Sequence, residues 1–207
     1  MGKRHWIPAC AGMTSSGVRV GSMMIWRFVL LLVLSLPARA DDKPWETLKT
    51  ESDLIVFMRH TQPSAGGNPL KWDTTGNCDG ESMLTEAGKL HAKRIGEAFA
   101  QRGIEPVVIS SPMCRCRDTA AIAFGRSPIT DGELREIASA DSDRTKSFET
   151  KANALIATHR GARPVVFVNH RPNIDLLTLE LVEEGELLIG RIKTKGEFDI
   201  LGRIRIP

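Results

Sequence analysis

An Arg-His pair at the end of a short apolar run is the feature of this chain that most clearly suggests chemistry. Residues 54–58 are Leu-Ile-Val-Phe-Met, and Arg59 and His60 follow directly. A neutral imidazole is a nucleophile and a guanidinium is a permanent cation, so this pair could attack and hold an anionic centre. The run is rich in β-branched and aromatic residues and stops before Pro63, which predicts a buried strand ending at the pair.

Two further apolar runs end in polar residues of the same kinds. Residues 107–109 precede the segment 110–120, SSPMCRCRDTA, which contains Arg115. Residues 165–168 precede an Asn and then His170. Because ligands of open α/β sheets gather at the carboxyl ends of strands, we expect these side chains to converge on one site.

The converging side chains suit the transfer of a phosphoryl group. A phosphate monoester carries nearly two negative charges, and its transition state spreads charge over three oxygens. Arg59 and Arg115 would supply fixed cations with forked donors. His60 would be an in-line nucleophile that forms a phosphohistidine, and His170 would donate to the phosphate. The scheme requires no metal ion and no cofactor.

Together the three segments resemble the histidine phosphatase superfamily, also called phosphoglycerate mutase-like. Its Arg-His, Ser-Ser-Pro-x-x-Arg-x-x-x-Thr-Ala and late strand-x-His motifs match at 57–60, 110–120 and 165–170, although Thr61 stands where Gly is commonest. Order and spacing agree over about residues 53–192. The resemblance implies a three-layer α/β/α sandwich with a mostly parallel sheet, and it is closer to small exported or periplasmic members than to a glycolytic phosphoglycerate mutase.

The proton donor is predicted from the same resemblance. Breaking the P–O bond leaves an alkoxide that a carboxylic acid could protonate, and in this superfamily that acid often stands in a Leu-x-Glu setting after the second motif. Glu136 fits this position. Its neighbours Glu133 and Asp131 remain alternatives.

The order of elements supports the α/β class, because strands alternate with helices. We expect the last two strands to form an edge and the loop 61–84 to border the pocket. The predicted elements are strand 54–58, loop 61–84, helix 85–101, strand 106–109, helix 113–124, a short strand near Ile129, helix 147–159, strand 165–168, helix 172–183, and strands 186–192 and 197–206.

The first 40 residues predict a secretory leader. Arg27 precedes the apolar run 28–36, and the triplet Ala-Arg-Ala ends at Ala40. Residues 1–22 fit no signal peptide and are predicted to be a spurious extension, so that 23–40 is the signal peptide and 41–207 a single domain. The run is too short for a membrane span, so we expect a periplasmic or secreted protein without stable membrane insertion after cleavage.

The negative net charge of residues 41–207 argues against a general attraction to nucleic acid. Five of the 28 basic residues and none of the 25 acidic residues lie in 1–40, so the formal net charge changes from +3 for the chain to −2 for 41–207. Phosphate binding must therefore come from local cations.

Export also bears on the cysteines. Cys78, Cys114 and Cys116 remain after cleavage, and an oxidising compartment favours one disulfide, from Cys78 to the second motif. Three buried free thiols are the alternative.

Two classes of function remain open on the sequence. The first is an exported phosphomonoesterase, which the retention of both His60 and His170 favours. The second is a non-catalytic domain of the same fold that binds a phospho-ligand, and a mutase-type phosphotransferase is a further alternative. A small-molecule phosphate and a lipopolysaccharide-linked phosphate are both compatible substrates. The sequence does not determine the oligomeric state.

Overall fold

Among the described residues, a six-stranded sheet with helices on both faces forms the core. The computed structural model describes residues 42–138, 141–193 and 197–207. Its strands are β1 (Ile55–Arg59), β2 (Val107–Ser110), β3 (Ile129–Thr130), β4 (Val165–Asn169), β5 (Leu187–Ile192) and β6 (Phe198–Ile204). Its helices are α1 (Asp42–Thr50), α2 (Glu86–Gln101), α3 (Cys114–Phe124), α4 (Ser142–His159) and α5 (Arg171–Thr178), with a 3₁₀ turn at Gly132–Leu134.

The predicted spurious extension, 1–22, and signal peptide, 23–40, lie outside the described residues. Within the described ranges, no helix combines the length and the apolar character needed to cross a membrane.

The strand order is β3-β2-β4-β1-β5-β6. The pairs β3–β2, β2–β4 and β4–β1 are parallel. Strand β5 runs antiparallel to both β1 and β6. The predicted α/β class, the mostly parallel sheet and the edge formed by the last two strands are confirmed. β1 and β4 therefore lie at the centre, where both faces are covered and where apolar runs are stable.

Alternation along β1 divides the core into two layers. Val56 and Met58 pack on one face with residues of α1, α2 and α3. Ile55 and Phe57 pack on the other face with residues of α4 and α5. This alternation is the period of two that a strand imposes, and it produces the predicted three-layer arrangement.

Close contact between α2 and α3 fixes the position of the second motif. Gly96 of α2 lies against the backbone of Ala123, and a Cβ at this glycine would come within 1.9 Å of the Ala123 carbonyl oxygen. Any larger residue would push α3 away, so the glycine sets the distance between the two helices.

One helix was missed and two predicted boundaries were wrong. α1 was not predicted, because its nine residues are mostly polar and only Trp45 and Leu48 are buried. α4 begins at Ser142 rather than at 147, because the Asp141 side chain caps its first turn. α5 ends at Thr178 rather than at 183, because Leu179 adopts a left-handed conformation (φ 58°) that stops the helix.

Candidate active site

Strand register brings the two predicted histidines together. Arg59 at the end of β1 pairs with Asn169 at the end of parallel β4, so His60 and His170 are each the next residue after a matched pair. The His60 N–H donates to the Asn169 carbonyl at 3.1 Å, and the two imidazole centroids lie 5.4 Å apart. Both side chains are buried.

Arg115 joins the two histidines. It lies in the first turn of α3, and its side chain is 3% exposed. Its Nε donates to His60 Nε2 at 3.3 Å, and its Nη2 donates to His170 Nδ1 at 3.0 Å. The structure therefore brings together His60, Arg115 and His170, all predicted from the sequence. The predicted Arg59 precedes His60 at the end of β1, and its Nη2 forms an ion pair with Glu184 at 3.1 Å.

The tautomer of His60 follows from its neighbours. Its Nδ1 lies 2.9 Å from the Thr61 carbonyl oxygen, which can only accept, so Nδ1 carries the hydrogen and Nε2 carries the lone pair. Burial lowers the pKa of His60 to about 4, the Thr61 carbonyl opposes this shift, and the charges of Arg115 and Arg59 add to it. At neutral pH the imidazole is uncharged and its Nε2 is a nucleophile.

Two arginine nitrogens at the site have no hydrogen-bond partner among the described residues. They are the buried Nη1 of Arg115 and the buried Nε of Arg59. A buried donor without a partner costs about 1–3 kcal/mol, so it is retained where a ligand accepts from it. Oxygens of a phosphoryl group placed beside His60 Nε2 would be suitable acceptors.

Glu136 completes the site on one side. Its carboxylate forms an ion pair with Arg115 Nη2 and lies 3.8 Å from His170 Nδ1. Burial raises the pKa of its carboxyl above the usual range, although Arg115 and Arg59 oppose this shift. A carboxyl with a raised pKa beside a phosphate centre can donate a proton to a leaving oxygen.

The two alternative carboxylates have other partners. Glu133 pairs with Arg144 at 3.2 Å, and Asp131 pairs with Lys151 at 3.1 Å. Asp131 also accepts from the Glu133 N–H at the start of the 3₁₀ turn. The geometry at Arg115 therefore favours Glu136 among the three.

The sequence analysis expected His170 to donate a hydrogen bond to the phosphate, but in this structure its Nδ1 accepts one from Arg115. An arginine N–H can only donate, so His170 Nδ1 accepts from Arg115 and Nε2 carries the hydrogen. That hydrogen points to Ser111 Oγ at 2.8 Å. Burial holds the pKa of His170 well below its usual range, and the charge of Arg115 acts in the same direction.

Ser111 and Cys116 are site residues whose contacts the sequence analysis did not anticipate. Both are buried, and Cys116 Sγ lies 3.6 Å from His170 Nε2. Burial raises the pKa of the Cys116 thiol, so it remains protonated at neutral pH. Both belong to the motif segment 110–120, and this position was the feature of the sequence that could have identified them as site residues.

The loop 61–84 is tied to the first turn of α3. Cys78 and Cys114 form a disulfide, which confirms the predicted pairing of Cys78 with the second motif, and Cys116 is a free buried thiol. Arg117 donates from Nη2 to the Gly76 carbonyl at 2.9 Å, and the buried Glu81 accepts from the Cys114 N–H at 2.8 Å. These contacts hold the loop beside Arg115.

Within the described ranges, no group of three or more His, Cys, Asp or Glu side chains is placed to hold a metal ion. What the site offers instead is a neutral imidazole, fixed cations and a carboxyl of raised pKa. This combination suits reaction at a phosphoryl centre through nitrogen.

Comparison with known proteins agrees with this geometry. A family model described as "Histidine phosphatase superfamily (branch 1)" matches residues 55–166, which is more than half of the chain. No match was found among curated proteins.

Solved structures with the same fold are numerous, and the matches cover most of both chains. A putative phosphohistidine phosphatase SixA from Agrobacterium tumefaciens has 19% identity and a TM-score of 0.50, covering 76% of this chain and 100% of its own. A mycobacterial glucosyl-3-phosphoglycerate phosphatase has 18% identity and a TM-score of 0.53, covering 72% and 97%. At these identities the likeness shows the fold.

Proposed function

Because the chain belongs to the histidine phosphatase superfamily (branch 1), whose members are enzymes of the phosphatase or mutase type, we propose that it hydrolyses phosphate monoesters through a phosphohistidine. One observation carries the proposal. The Nε2 lone pair of a buried, neutral His60 lies beside the buried donors of Arg115, whose Nη1 has no partner among the described residues. A nucleophile and an oxyanion cradle are thus adjacent.

In the first step, His60 Nε2 attacks phosphorus and the P–O bond to the alcohol breaks. The leaving oxygen takes the proton of the Glu136 carboxyl, and the alcohol departs. The phosphorylated imidazole gains positive charge, which the Thr61 carbonyl stabilises by accepting from Nδ1 at 2.9 Å. Arg59 and Arg115 bind the equatorial oxygens throughout.

In the second step, water attacks the phosphohistidine and the N–P bond breaks. The Glu136 carboxylate left by the first step accepts a proton from this water, which restores its acid form. Inorganic phosphate departs and His60 returns to the neutral state. Arg115 stays paired with Glu136, and its Nε, which donates to His60 Nε2 in the free site, donates to a phosphoryl oxygen once Nε2 carries the phosphoryl group.

The decisive experiment traps the intermediate. Brief incubation of the purified protein with radiolabelled phosphate ester should give a protein-bound phosphate that is labile in acid and stable in alkali. His60→Ala should abolish both this label and turnover, whereas His159→Gln, at the far end of α4, should retain them. Turnover by His60→Ala at the wild-type rate would disprove the phosphohistidine route.

The same experiment separates the alternatives. A non-catalytic binding domain would bind inorganic phosphate without forming a labelled protein. A mutase-type phosphotransferase would form the label but pass it to an added alcohol faster than to water.

The chain is further proposed to be exported, with cleavage after Ala40. The apolar run 28–36 and the Ala-Arg-Ala triplet motivate this, and the Cys78–Cys114 disulfide supports it because disulfides persist in oxidising compartments. N-terminal sequencing of protein from the periplasm or medium should begin at Asp41. Recovery of an uncleaved chain in the cytoplasm would contradict export. Substrates for the exported enzyme should be sought among both small sugar phosphates and lipopolysaccharide-linked phosphate.

A further inference from the structure

Asn173 is a fully buried polar side chain that neither reaction step uses. It lies in the first turn of α5, three residues after His170, the N-cap residue of that helix. Its Oδ1 accepts from the Ile137 N–H at 2.9 Å, and its Nδ2 donates to the Arg135 carbonyl at 3.0 Å. These two backbone groups stand on either side of Glu136. One side-chain amide is therefore bonded to the chain immediately before and immediately after the proposed proton donor.

The segment that carries Glu136 has no regular secondary structure. Residues 136–138 follow the 3₁₀ turn and belong to no helix or strand. None of their backbone groups bonds to a backbone group of another described residue. The Glu136 N–H points to the Met113 sulfur, a weak acceptor, at 3.4 Å. The position of the segment therefore depends on the side chains that bond to it.

Arg144 supports the same segment from one side. Its Nη2 donates to the Arg135 carbonyl at 2.8 Å, before Glu136. The Ile137 N–H, after Glu136, has Asn173 as its hydrogen-bond partner among the described residues. Asn173 thus fixes the chain on both sides of the proton donor, whereas Arg144 fixes it on one.

An amide is the side-chain group that suits this place. It carries an acceptor and two donors on one planar group, as the peptide group of a neighbouring strand carries one of each. An ionised Asp would accept from Ile137 but could not donate to Arg135. Because the amide is planar and bonded at both ends, it leaves the backbone of Glu136 little freedom to shift.

The same helix connects Glu136 to the phosphate cradle. Asn173 and His170 share the first turn of α5, and the Glu136 carboxylate lies 3.8 Å from His170 Nδ1. A general acid must lie within hydrogen-bond reach of the leaving oxygen. A misplacement of about 1 Å can cost about 10²-fold in rate, so the bonds that hold Glu136 bear directly on catalysis.

The ion pair with Arg115 holds Glu136 less firmly at the moment of proton transfer. Only the acid form can protonate the leaving oxygen, and an uncharged carboxyl is attracted to a guanidinium less than a carboxylate is. The bonds of Asn173 reach backbone groups, so they are the same whether or not Glu136 carries its proton. They hold the residue in the form in which its ion pair is weakest.

The place that Asn173 secures is one suited to a proton donor. Glu136 contacts the cradle through Arg115 and also borders a cavity of about 280 Å³. Leu70 and Met113 line the same cavity. The carboxyl therefore has the phosphate on one side and room for the leaving alcohol on the other.

We propose that Asn173 is a positioning residue, which holds Glu136 within reach of the leaving oxygen by bonding to the backbone on both sides of it. This inference rests on the proposed function, because it assigns Asn173 a part in the protonation of the leaving group. It adds a residue that never touches the substrate but acts through one that does.

The dependence of the rate on the leaving group tests the proposal. Asn173→Ala should lower the kcat for glucose 6-phosphate by about tenfold or more, with less effect on its KM, because this leaving alcohol needs a proton. The kcat for p-nitrophenyl phosphate, whose leaving group departs without one, should fall by less than about threefold. In a Glu136→Gln background, Asn173→Ala should lower glucose 6-phosphate hydrolysis by no more than about twofold further, because its effect passes through the carboxyl.

Thr178→Ala is the matched control for lost stability. Thr178 is a buried polar residue of the same helix, and its hydroxyl donates to the Ile174 carbonyl at 2.8 Å. This variant should keep the wild-type ratio of the two rates. Asn173→Asp keeps the acceptor for the Ile137 N–H and replaces Asn173→Ala if the latter does not fold. It should show the same selective loss on glucose 6-phosphate.

Equal losses on the two substrates, the same selective loss in Thr178→Ala, or additive losses in the double variant would overturn the positioning role. Unchanged rates in the Asn173 variants would overturn it as well. Absence of wild-type hydrolysis of p-nitrophenyl phosphate would instead overturn the proposed function, and the positioning role with it.

Discussion

Ser111 Oγ lies 2.8 Å from His170 Nε2, and this contact influences which nitrogen of the buried imidazole carries the hydrogen. A hydroxyl can donate or accept. In this structure it accepts, because Arg115 occupies Nδ1. When a phosphate oxygen takes the arginine donor, Ser111 can donate to Nε2 instead, and the hydrogen on Nδ1 then faces the phosphate.

Ser111→Ala should therefore weaken phosphate binding by about tenfold, because a buried imidazole nitrogen loses its partner. The inhibition constant for inorganic phosphate measures this effect, and ¹⁵N shifts of His170 report the tautomer. Ser111→Thr should restore both. The control is Ser110→Ala, since the Ser110 hydroxyl donates to the Ser111 carbonyl and not to the histidine. An equal loss in this control would show that the serine acts only through packing.

Glu136→Gln should slow hydrolysis of sugar phosphates by about 10²-fold or more, because their leaving oxygen needs a proton. p-Nitrophenyl phosphate should lose much less, since its leaving group departs without one. Steady-state rates on the two substrates provide the measurement. Glu133→Gln is the matched control, because this carboxylate pairs with Arg144. A larger effect in the control would transfer the role to Glu133.

Stability should fall in mild acid because of His60. Its pKa is lowered from 6.5 to about 4 in the folded protein, so between these values the unfolded chain binds a proton that the folded chain does not. The free energy of unfolding therefore decreases as pH falls through this window, with about 2 kcal/mol lost between pH 7 and pH 5. Urea denaturation of the wild type and His60→Gln should show that the variant lacks this part of the loss. Parallel pH dependence in both would refute it.

Breaking the Cys78–Cys114 bond should destabilise the protein by about 3–4 kcal/mol, given the sequence separation of 36 residues. Cys78→Ser and reductant-treated wild type should have similar denaturation midpoints, and reductant should not affect Cys78→Ser further. Peptide mapping without reduction should yield a linked pair and leave Cys116 alkylatable after denaturation. A Cys78–Cys116 link would contradict the assignment.

The elements that could be predicted from sequence are those whose residue pattern matches their burial in the folded protein. β1 and β4 are runs of apolar residues buried on both faces, and each ends in a motif residue, so both the strands and the position of the histidines followed. α1 could not be predicted, because it depends on Trp45 packing against Phe99 and beneath Arg102. Nothing near residue 45 in the chain indicates these partners.

The same distinction applies to the site. Arg59, His60, Arg115 and His170 stand in motifs with fixed spacing. The contact of Ser111 with His170 joins residues 59 positions apart in the chain. Motif matching therefore indicated the phosphate cradle but not the tautomer of His170.

The anchoring of the loop 61–84 allows the loop residues to vary without displacing the reacting groups. The reacting groups are carried by strand ends, by the first turn of α3 and by the segment after the 3₁₀ turn, whereas Leu70 and Trp72 belong to the loop. Because the disulfide and Arg117 secure the end of the loop, the exposed residues 69–71 can change in composition without moving the histidines. Engineering a new substrate preference can therefore begin at residues 69–71 while the groups that break the bond are left unchanged.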